Sequence, residues 1–487
     1  MQRADTTADG TSISRRGWAL VLTSVAFFMT ALDALVVVTA LPAIHAGIGG
    51  SVGTLEWTIN AYTLPFAAGI ITAAALGDRL GRRRMYITGL VIFAISSAAC
   101  ALAQNAEALI AARAVQGLGA ALVTPLSLTI LASVFPRERR ATIVGIWGGI
   151  GGLAVAAGPL VGGAVVQGLD WHWIFWINVP IGLAAALLSA LRLPESGGPA
   201  RRLDLGGAML VAAGAVAVAW GVVQTADVGW ASAEVIASLA VGAALIVSFV
   251  VWESRVSSPL LPLRLLRIRA FTAANATGFL SVASITSAAF LMSQFFQVGL
   301  GYSPLATGLR FLPWTATPLV IAPIAGRVAD KVGSRPLMAA GLAVQAAGLG
   351  WVAAHISAHV SYADLALPLL IAGIGISMAI PTTPTAALGA VPPADLGTAS
   401  GVQSTLQRFG AVFGVAIVTA VFSASGHLGS VSGVIAGVQP ALGAAAGLSL
   451  LGAVTGLAAG RRYAAPVTEQ QQSAALAPAG AGGDALS

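Results

Sequence analysis

The chain has 487 residues, 57% of them hydrophobic and only 9% charged. Soluble domains carry roughly 25% charged residues, so this composition excludes a globule coated by water and requires contact with lipid. The formal net charge of +7 comes from Arg and Lys that flank apolar stretches, a mark of membrane topology rather than of nucleic-acid binding, and the lone Cys100 excludes a disulfide framework or a cysteine metal centre.

Apolar windows of about 20 residues, enough to cross roughly 30 Å of hydrocarbon, predict fourteen spans. After a cytoplasmic arm at 1–16, spans at 18–41, 56–76, 85–103, 108–133, 141–166 and 174–193 make an amino-terminal six-helix bundle, 17–203. Two inserted helices, 205–223 and 235–252, occupy 204–253, and a basic cytoplasmic connector follows at 254–269. Spans at 271–296, 307–325, 337–354, 365–388, 398–422 and 441–459 form the carboxy-terminal bundle, 270–460. Residues 461–487, rich in Ala, Gly and Gln, are expected to be a disordered cytoplasmic tail. Lipid offers the backbone no partner, so every span is expected to be a helix. Arg15 and Arg16 precede a first span too long for a cleaved leader, so it is expected to be retained. Except for Arg113, Arg310 and Arg408, all Lys and Arg fall in the arm, the tail or alternate connectors and the span ends beside them. That asymmetry predicts a multi-pass protein of the cell membrane with both termini cytoplasmic.

One repeat stands out. Gly77-Asp78-Arg79-Leu80-Gly81-Arg82-Arg83 after the second span is echoed by Ala329-Asp330-Lys331-Val332-Gly333-Ser334-Arg335 after the tenth, 252 residues on. Repeats at that distance predict two six-helix halves with a transport pathway between them. Asp78, Arg79, Gly81, Arg82 and Arg83, with Asp330, Gly333 and Arg335 in the second copy, are read as a cytoplasmic gate. A carboxylate at a tight turn before a helix can accept N–H groups and arginine forks. Anchoring by positive charge explains the arginines equally well, but not Asp78 or Gly81.

At these residues the chain resembles the major facilitator superfamily, and more narrowly its fourteen-helix drug:proton antiporter family. Leu76, Asp78, Arg79, Gly81, Arg82 and Arg83 match the first-loop motif; Ala74 replaces its leading Gly, which the second copy keeps as Gly326. Arg113-Ala114-Val115-Gln116-Gly117-Leu118-Gly119 is similar to the helix-four element, and Gly145, Gly158, Pro159, Gly162 and Gly163 to the antiporter element of helix five, with Ala154 where a further Gly is usual. Leu32-Asp33 and Ala40-Leu41-Pro42 resemble the first-helix motif, although Leu35 and Val38 stand where Thr and Asn are common. The segment from Trp171 to Gly182 resembles the entry to the sixth helix, more a family marker than a chemical site. The resemblance implies an all-α integral membrane protein of the major facilitator type, with 14 transmembrane helices as two six-helix bundles plus two additional central helices. It implies export of drugs, antibiotics or toxic organic metabolites in exchange for protons, by a monomer with no enzymatic activity.

Lys331 is the single lysine and Val332 follows it, so the chain holds no phosphate-cradling loop of an ATPase. An ion gradient is then the remaining energy source for active transport, which the resemblance implies is a proton gradient, with no cofactor and no metal expected. Asp33 is the one acid well inside a span, where an ionisable group costs about 2.5–3.5 kcal/mol and functions by default. Counted from the outer helix ends, Asp33 and Arg113 share a depth of roughly 10–14 Å. They are expected to pair directly or through water as the proton-coupling switch, protonation releasing the arginine; a purely structural ion pair is the alternative. Glu56 is expected at a helix mouth. Gly158-Pro159 is expected to bend helix five, and Gly162 and Gly163 to admit a neighbouring helix. Trp57, Asn60, Tyr62, Gln116, Gln294, Gln297, Arg310, Trp314, Gln403, Gln407 and Arg408 are candidates for an amphipathic lining around a mainly apolar ligand. Arg310 and Arg408 face no embedded acid in their half; Arg408 meets either the substrate path or backbone carbonyls. All five histidines, His45, His172, His355, His359 and His427, are expected on outer loops, and His355 with His359 lacks a third metal ligand. A nutrient symporter or facilitator, which needs more directional polar groups, and a non-transporting sensor are the competing readings. A membrane enzyme would need a nucleophile–base pair or a metal cluster at membrane depth.

Overall fold

The computed structural model describes residues 6–49, 52–197, 204–257, 259–392, 395–427 and 430–459, and every regular element among them is helical. The first half runs α1 (Thr6–Ile48), α2 (Val52–Leu80), α3 (Arg82–Ala101), α4 (Ala106–Val134), α5 (Arg137–Gly168), α6 (Trp173–Trp176) and α7 (Asn178–Arg192). Then come α8 (Leu205–Val228), α9 (Ala233–Glu253) and the short α10 (Leu263–Leu266) in the basic connector. The second half holds α11 (Arg269–Gln294), which widens into a π turn at Phe295–Gly299, and α12 (Pro304–Thr315), α13 (Thr317–Val332), α14 (Ser334–His355), α15 (Tyr362–Leu388), α16 (Leu396–Ser425) and α17 (Val431–Ala458). The tail at 461–487 lies outside the described residues.

Among the described residues eleven stretches, α6 and α7 together counting as one, are long and apolar enough to span a membrane. The two arms of α2, bent by 53° between Ile70 and Thr72, make a twelfth if they form one span. The expected tenth span, 307–325, is broken between α12 and α13. Pro318 has no N–H for the Trp314 carbonyl four residues back. The Thr317 hydroxyl takes that place, donating to the Trp314 oxygen at 2.8 Å.

The two halves are assembled alike. In the first, α3 packs on α4 and α7, α2 on α4, and α1 on α5; in the second, α14 packs on α15 and α17, α11 on α16 and α17, and α13 on α15. They meet along α5 with α12, α2 with α16, and α1 with α11, while α8 pairs with α9 and lies against both α2 and α16. The repeated loop in the sequence is also repeated in the backbone. Gly81 and Gly333 stand at φ 105° and 87°, before α3 and α14 respectively, in a region that residues with a side chain rarely enter.

Candidate functional site

Inside the first half, Asp33 of α1 and Arg113 of α4 are 3% and 1% exposed. Arg113 Nη1 donates to Asp33 Oδ2 at 2.6 Å. Asp33 Oδ1 accepts the side-chain amides of Gln116 at 3.1 Å and Asn178 at 2.8 Å. Both amides also reach the Ser97 hydroxyl, at 3.1 and 3.2 Å, and Ser97 donates to the Phe175 carbonyl at 3.0 Å. Arg113 is held further by the Thr58 carbonyl at 3.2 Å and the Gln116 side-chain oxygen at 2.7 Å. The Tyr62 ring covers the guanidinium at 4.2 Å, and its hydroxyl donates to the Thr30 carbonyl at 3.1 Å. One guanidinium thus balances the carboxylate charge at one oxygen and two amides donate to the other, so neither oxygen is left without a partner, as a buried ion pair requires.

Gln116, expected among the substrate-lining residues, is sealed at 0% exposure within this cluster. Asn178 and Ser97 are members that sequence reasoning did not assign. Asn178 had a signal, because it lies within the segment that resembles the sixth-helix entry. Glu56, expected at a helix mouth, is fully buried, and its Oε1 accepts the Asn60 amide at 3.0 Å.

At the basic end, Arg82 Nε donates to Asp78 Oδ1 at 2.8 Å, one helical turn away across the Gly81 turn. The segment after α7 straps onto the same turn. The Arg83 backbone N–H donates to Glu195 at 3.0 Å, its Nη1 to the Leu193 carbonyl at 3.0 Å, and the Arg82 N–H to the Ser196 carbonyl at 2.9 Å. Glu195 also faces the Arg83 and Arg84 side chains at 3.7 and 3.8 Å, a role its sequence position did not signal. Arg79 and Arg335 are exposed, and the Asp330 side chain lies outside those described.

The helix-five motif lies where the halves meet. A β-carbon at Gly163 would sit 2.2 Å from the Pro304 carbonyl oxygen of α12, and one at Gly308 of α12 would sit 2.4 Å from the Pro159 carbonyl oxygen. Gly158 and Gly162 face inward instead, with Leu35 and Val36 of α1 in the space a side chain would need. Gly145 lies in α5, and its surroundings are outside the described side chains. Nearby, Ser293 and Gln297 of the second half donate to the Val38 and Thr39 carbonyls of α1 at 2.9 and 2.8 Å.

The remaining expected lining residues fall into separate groups. Trp57 meets Trp220 of α8 at 5.7 Å. Gln294 and Trp314 are each 2% exposed, and Trp314 stacks on Phe311. Arg310 lies 3.8 Å over the Tyr302 ring, beside Tyr362, and donates to the Ala306 carbonyl at 3.1 Å. On α16, Gln403 is buried, Gln407 packs by Gly278, and Arg408 lies 4.1 Å over the Phe66 ring of α2. Two of the histidines expected on loops lie in helices instead: His45 in the last turn of α1 and His355 at the end of α14. Among the described residues no cluster of His, Cys, Asp and Glu could hold a metal ion.

The sequence matches the Major Facilitator Superfamily over residues 23–415 and again over 274–481. It is 35% identical over 410 residues to the multidrug resistance protein Stp of Mycobacterium tuberculosis (strain CDC 1551 / Oshkosh), covering 83% of this chain and 75% of that one. To the cephamycin export protein CmcT of Amycolatopsis lactamdurans it is 36% identical over 430 residues, covering 85% and 86%. In fold it is similar to a bacterial homolog of the human lysosomal transporter Spinster in an inward-facing, occupied conformation. That likeness has a TM-score of 0.67 at 16% identity and covers 92% of this chain and 97% of that one. The chain therefore belongs to the major facilitator superfamily, in its drug-efflux family, and is a multi-pass membrane transporter, not an enzyme.

Proposed function

We propose that this chain exports drugs, antibiotics or toxic organic metabolites across the cytoplasmic membrane in exchange for protons, with Asp33 as the proton carrier and Arg113 as its switch partner. The observation that carries this reading is the carboxylate buried among α1, α3, α4 and α7 with a guanidinium on one oxygen and two amides on the other. Relatives named as multidrug resistance and cephamycin export proteins support the export direction.

A proton on Asp33 removes the charge that balances Arg113 and turns one acceptor oxygen into a donor, so the guanidinium and the two amides must find other partners. The strain falls on α1. That helix also offers Val38 and Thr39 to the second half and packs on Gly158 and Gly162 of α5. Rearrangement at Asp33 therefore bears on the seam between the halves, the element that alternating access must open. On the basic side, the clasp of Asp78, Arg82 and Glu195 serves as the gate, with the second loop as its counterpart.

In this reading α5 and the broken pair α12 and α13 join the twelve apolar spans, which makes fourteen. The six-helix bundles are 17–203 and 270–460, the insert is 204–253, and both termini face the cytoplasm. The chain works as a monomer. In reconstituted vesicles, Asp33→Asn should retain downhill substrate exchange and lose uphill export driven by a pH gradient. Intact pH-driven export in that variant would remove Asp33 from the mechanism.

A further inference from the structure

We propose that the exported compound carries an acidic group, a carboxylate or an ionised phenol or enol on an apolar aromatic frame, and that this group docks on Arg408. The inference rests on the export reading and specifies its substrate class.

Arg408 differs from the other two embedded cations. Arg113 is neutralised by Asp33, and Arg310 donates to a carbonyl of its own helix. The Arg408 guanidinium has neither an ion pair nor a hydrogen bond among the described residues, and its one close polar-to-ring contact is the face of Phe66. It is half-buried, about 18 Å along α16 from Leu396 at the usual helical rise. Lipid phosphate groups lie far from that depth.

A guanidinium keeps its charge under all ordinary conditions and presents its donors as a planar fork that fits a carboxylate. Left unpaired in a medium of low polarity, it favours an incoming anion and repels a cation. The ring beneath holds the fork flat and leaves its edge free. The helices are fixed around it: the Thr405 hydroxyl, one turn earlier, donates to the Ala67 carbonyl of α2 at 3.2 Å. The next residue, Phe409, and Val412 one turn on pack with Leu64 and Ala67 of α2 and Ala215 and Ala219 of α8 in a closed apolar cluster, against which the partly buried Phe279 and Phe413 lie. That neighbourhood suits the apolar body of an organic acid and does not suit inorganic phosphate or a sugar.

Arg408 is also linked to the proton site. Phe66 meets Tyr62 edge-to-face at 5.7 Å, and Tyr62 covers Arg113. A substrate anion and Asp33 therefore lie on opposite sides of one aromatic wall. One-for-one exchange of an organic anion for a proton moves positive charge inward on both legs, so the membrane potential would drive it as well as the pH gradient.

The test uses pump-deficient cells and their everted vesicles expressing the full chain, Arg408→Gln or Arg408→Lys. The probes are nalidixate, novobiocin and 1-naphthoate, the carboxamides of the two carboxylates, and the cations ethidium and rhodamine 6G. The wild type should export the acids in preference to the amides and cations. Arg408→Gln should raise the half-saturating concentration for the acids by about tenfold or more, the scale of a lost charge-assisted hydrogen bond. Amide export should change little, which also reports that the variant is folded and inserted. Arg408→Lys should recover part of the loss. Export of cations in preference to acids, or unchanged acid export in Arg408→Gln, overturns the assignment and leaves the export reading standing. If no compound is exported by the wild type, the export reading falls and the assignment falls with it.

Discussion

The two halves repeat the same loop and the same helix arrangement, yet their interiors carry different chemistry. In the first, an acid, a guanidinium, two amides and a hydroxyl close on one another between four helices. In the second, the buried polar group in the related position is neutral. Gln345 of α14 donates to Ser284 of α11 at 3.2 Å, and Ser284 donates to the Ala445 carbonyl at 2.8 Å. The embedded charges of that half, Arg310 and Arg408, lie on aromatic rings with no acid as partner among the described residues. Duplication of a backbone thus does not duplicate its chemistry: one half encloses a neutralised ion pair and the other presents positive charge on aromatic faces.

The largest expected effect tests whether the contrast is energetic as well as geometric. Arg113→Leu leaves the Asp33 carboxylate buried without its counter-charge, which costs roughly 3–5 kcal/mol. Gln345→Leu in the second half removes one neutral hydrogen bond, which costs about 1 kcal/mol. Thermal unfolding of the two variants in the same lipid mixture compares them directly. Equal losses would mean that the ion pair contributes no more than its neutral counterpart and would erase the distinction between the halves.

The next effect concerns the seam where the halves touch. Gly163→Ala and Gly308→Ala each force a methyl group against a backbone carbonyl at 2.2 and 2.4 Å. Overpacking of this kind costs about 1–3 kcal/mol and penalises only the state in which the seam is closed. With Gln167→Cys as reporter, labelling by a membrane-impermeant maleimide should therefore rise in both variants. Gln167 accepts the Leu305 N–H at 3.2 Å across the same seam. Unchanged labelling would show that α5 and α12 part too rarely, or too easily, for these glycines to control it.

Much of this was readable in advance, and the reasons are uneven. Asp33 and Arg113 could be paired because depth along a span follows from counting residues at a fixed rise, and charge at that depth demands a partner. Asn178 and Ser97 could not, because an amide or hydroxyl is affordable almost anywhere in a helix bundle and its partner depends on helix rotation, which spacing does not give. For the same reason Gln116 was expected toward the substrate and lies toward Asp33. Gly163 was marked by its motif, but its reciprocal partner Gly308 carries no local signal. The break at Ala316 did have one, in Pro313 and Pro318, which a window of hydropathy averages away. The Glu195 strap was hidden because a single acid in a connector reads as solvated.

The smallest effect lies in the connectors, where charge meets water. Arg264 of α10 pairs through both Nη atoms with Asp395, at the start of α16, and holds its carboxyl below the usual carboxylate range. Asp395 makes no capping bond to α16, so its charge is directed at Arg264. A carboxyl whose folded value is depressed stabilises the folded chain above its unfolded value, near 4, and loses that contribution as the pH falls through the lowered folded value. The gap in stability between wild type and Arg264→Gln should therefore be present at neutral pH and close on acidification through that window. It should also shrink in high salt, because the arginine is exposed and its attraction is screened. Together with Arg113→Leu, this variant separates buried charge from solvated charge in the same protein: the connector pair should respond to salt and the pair of Asp33 with Arg113 should not. A salt-insensitive Arg264→Gln gap would mean that α10 is fixed to α16 by the packing of Leu265, which is fully buried, rather than by charge.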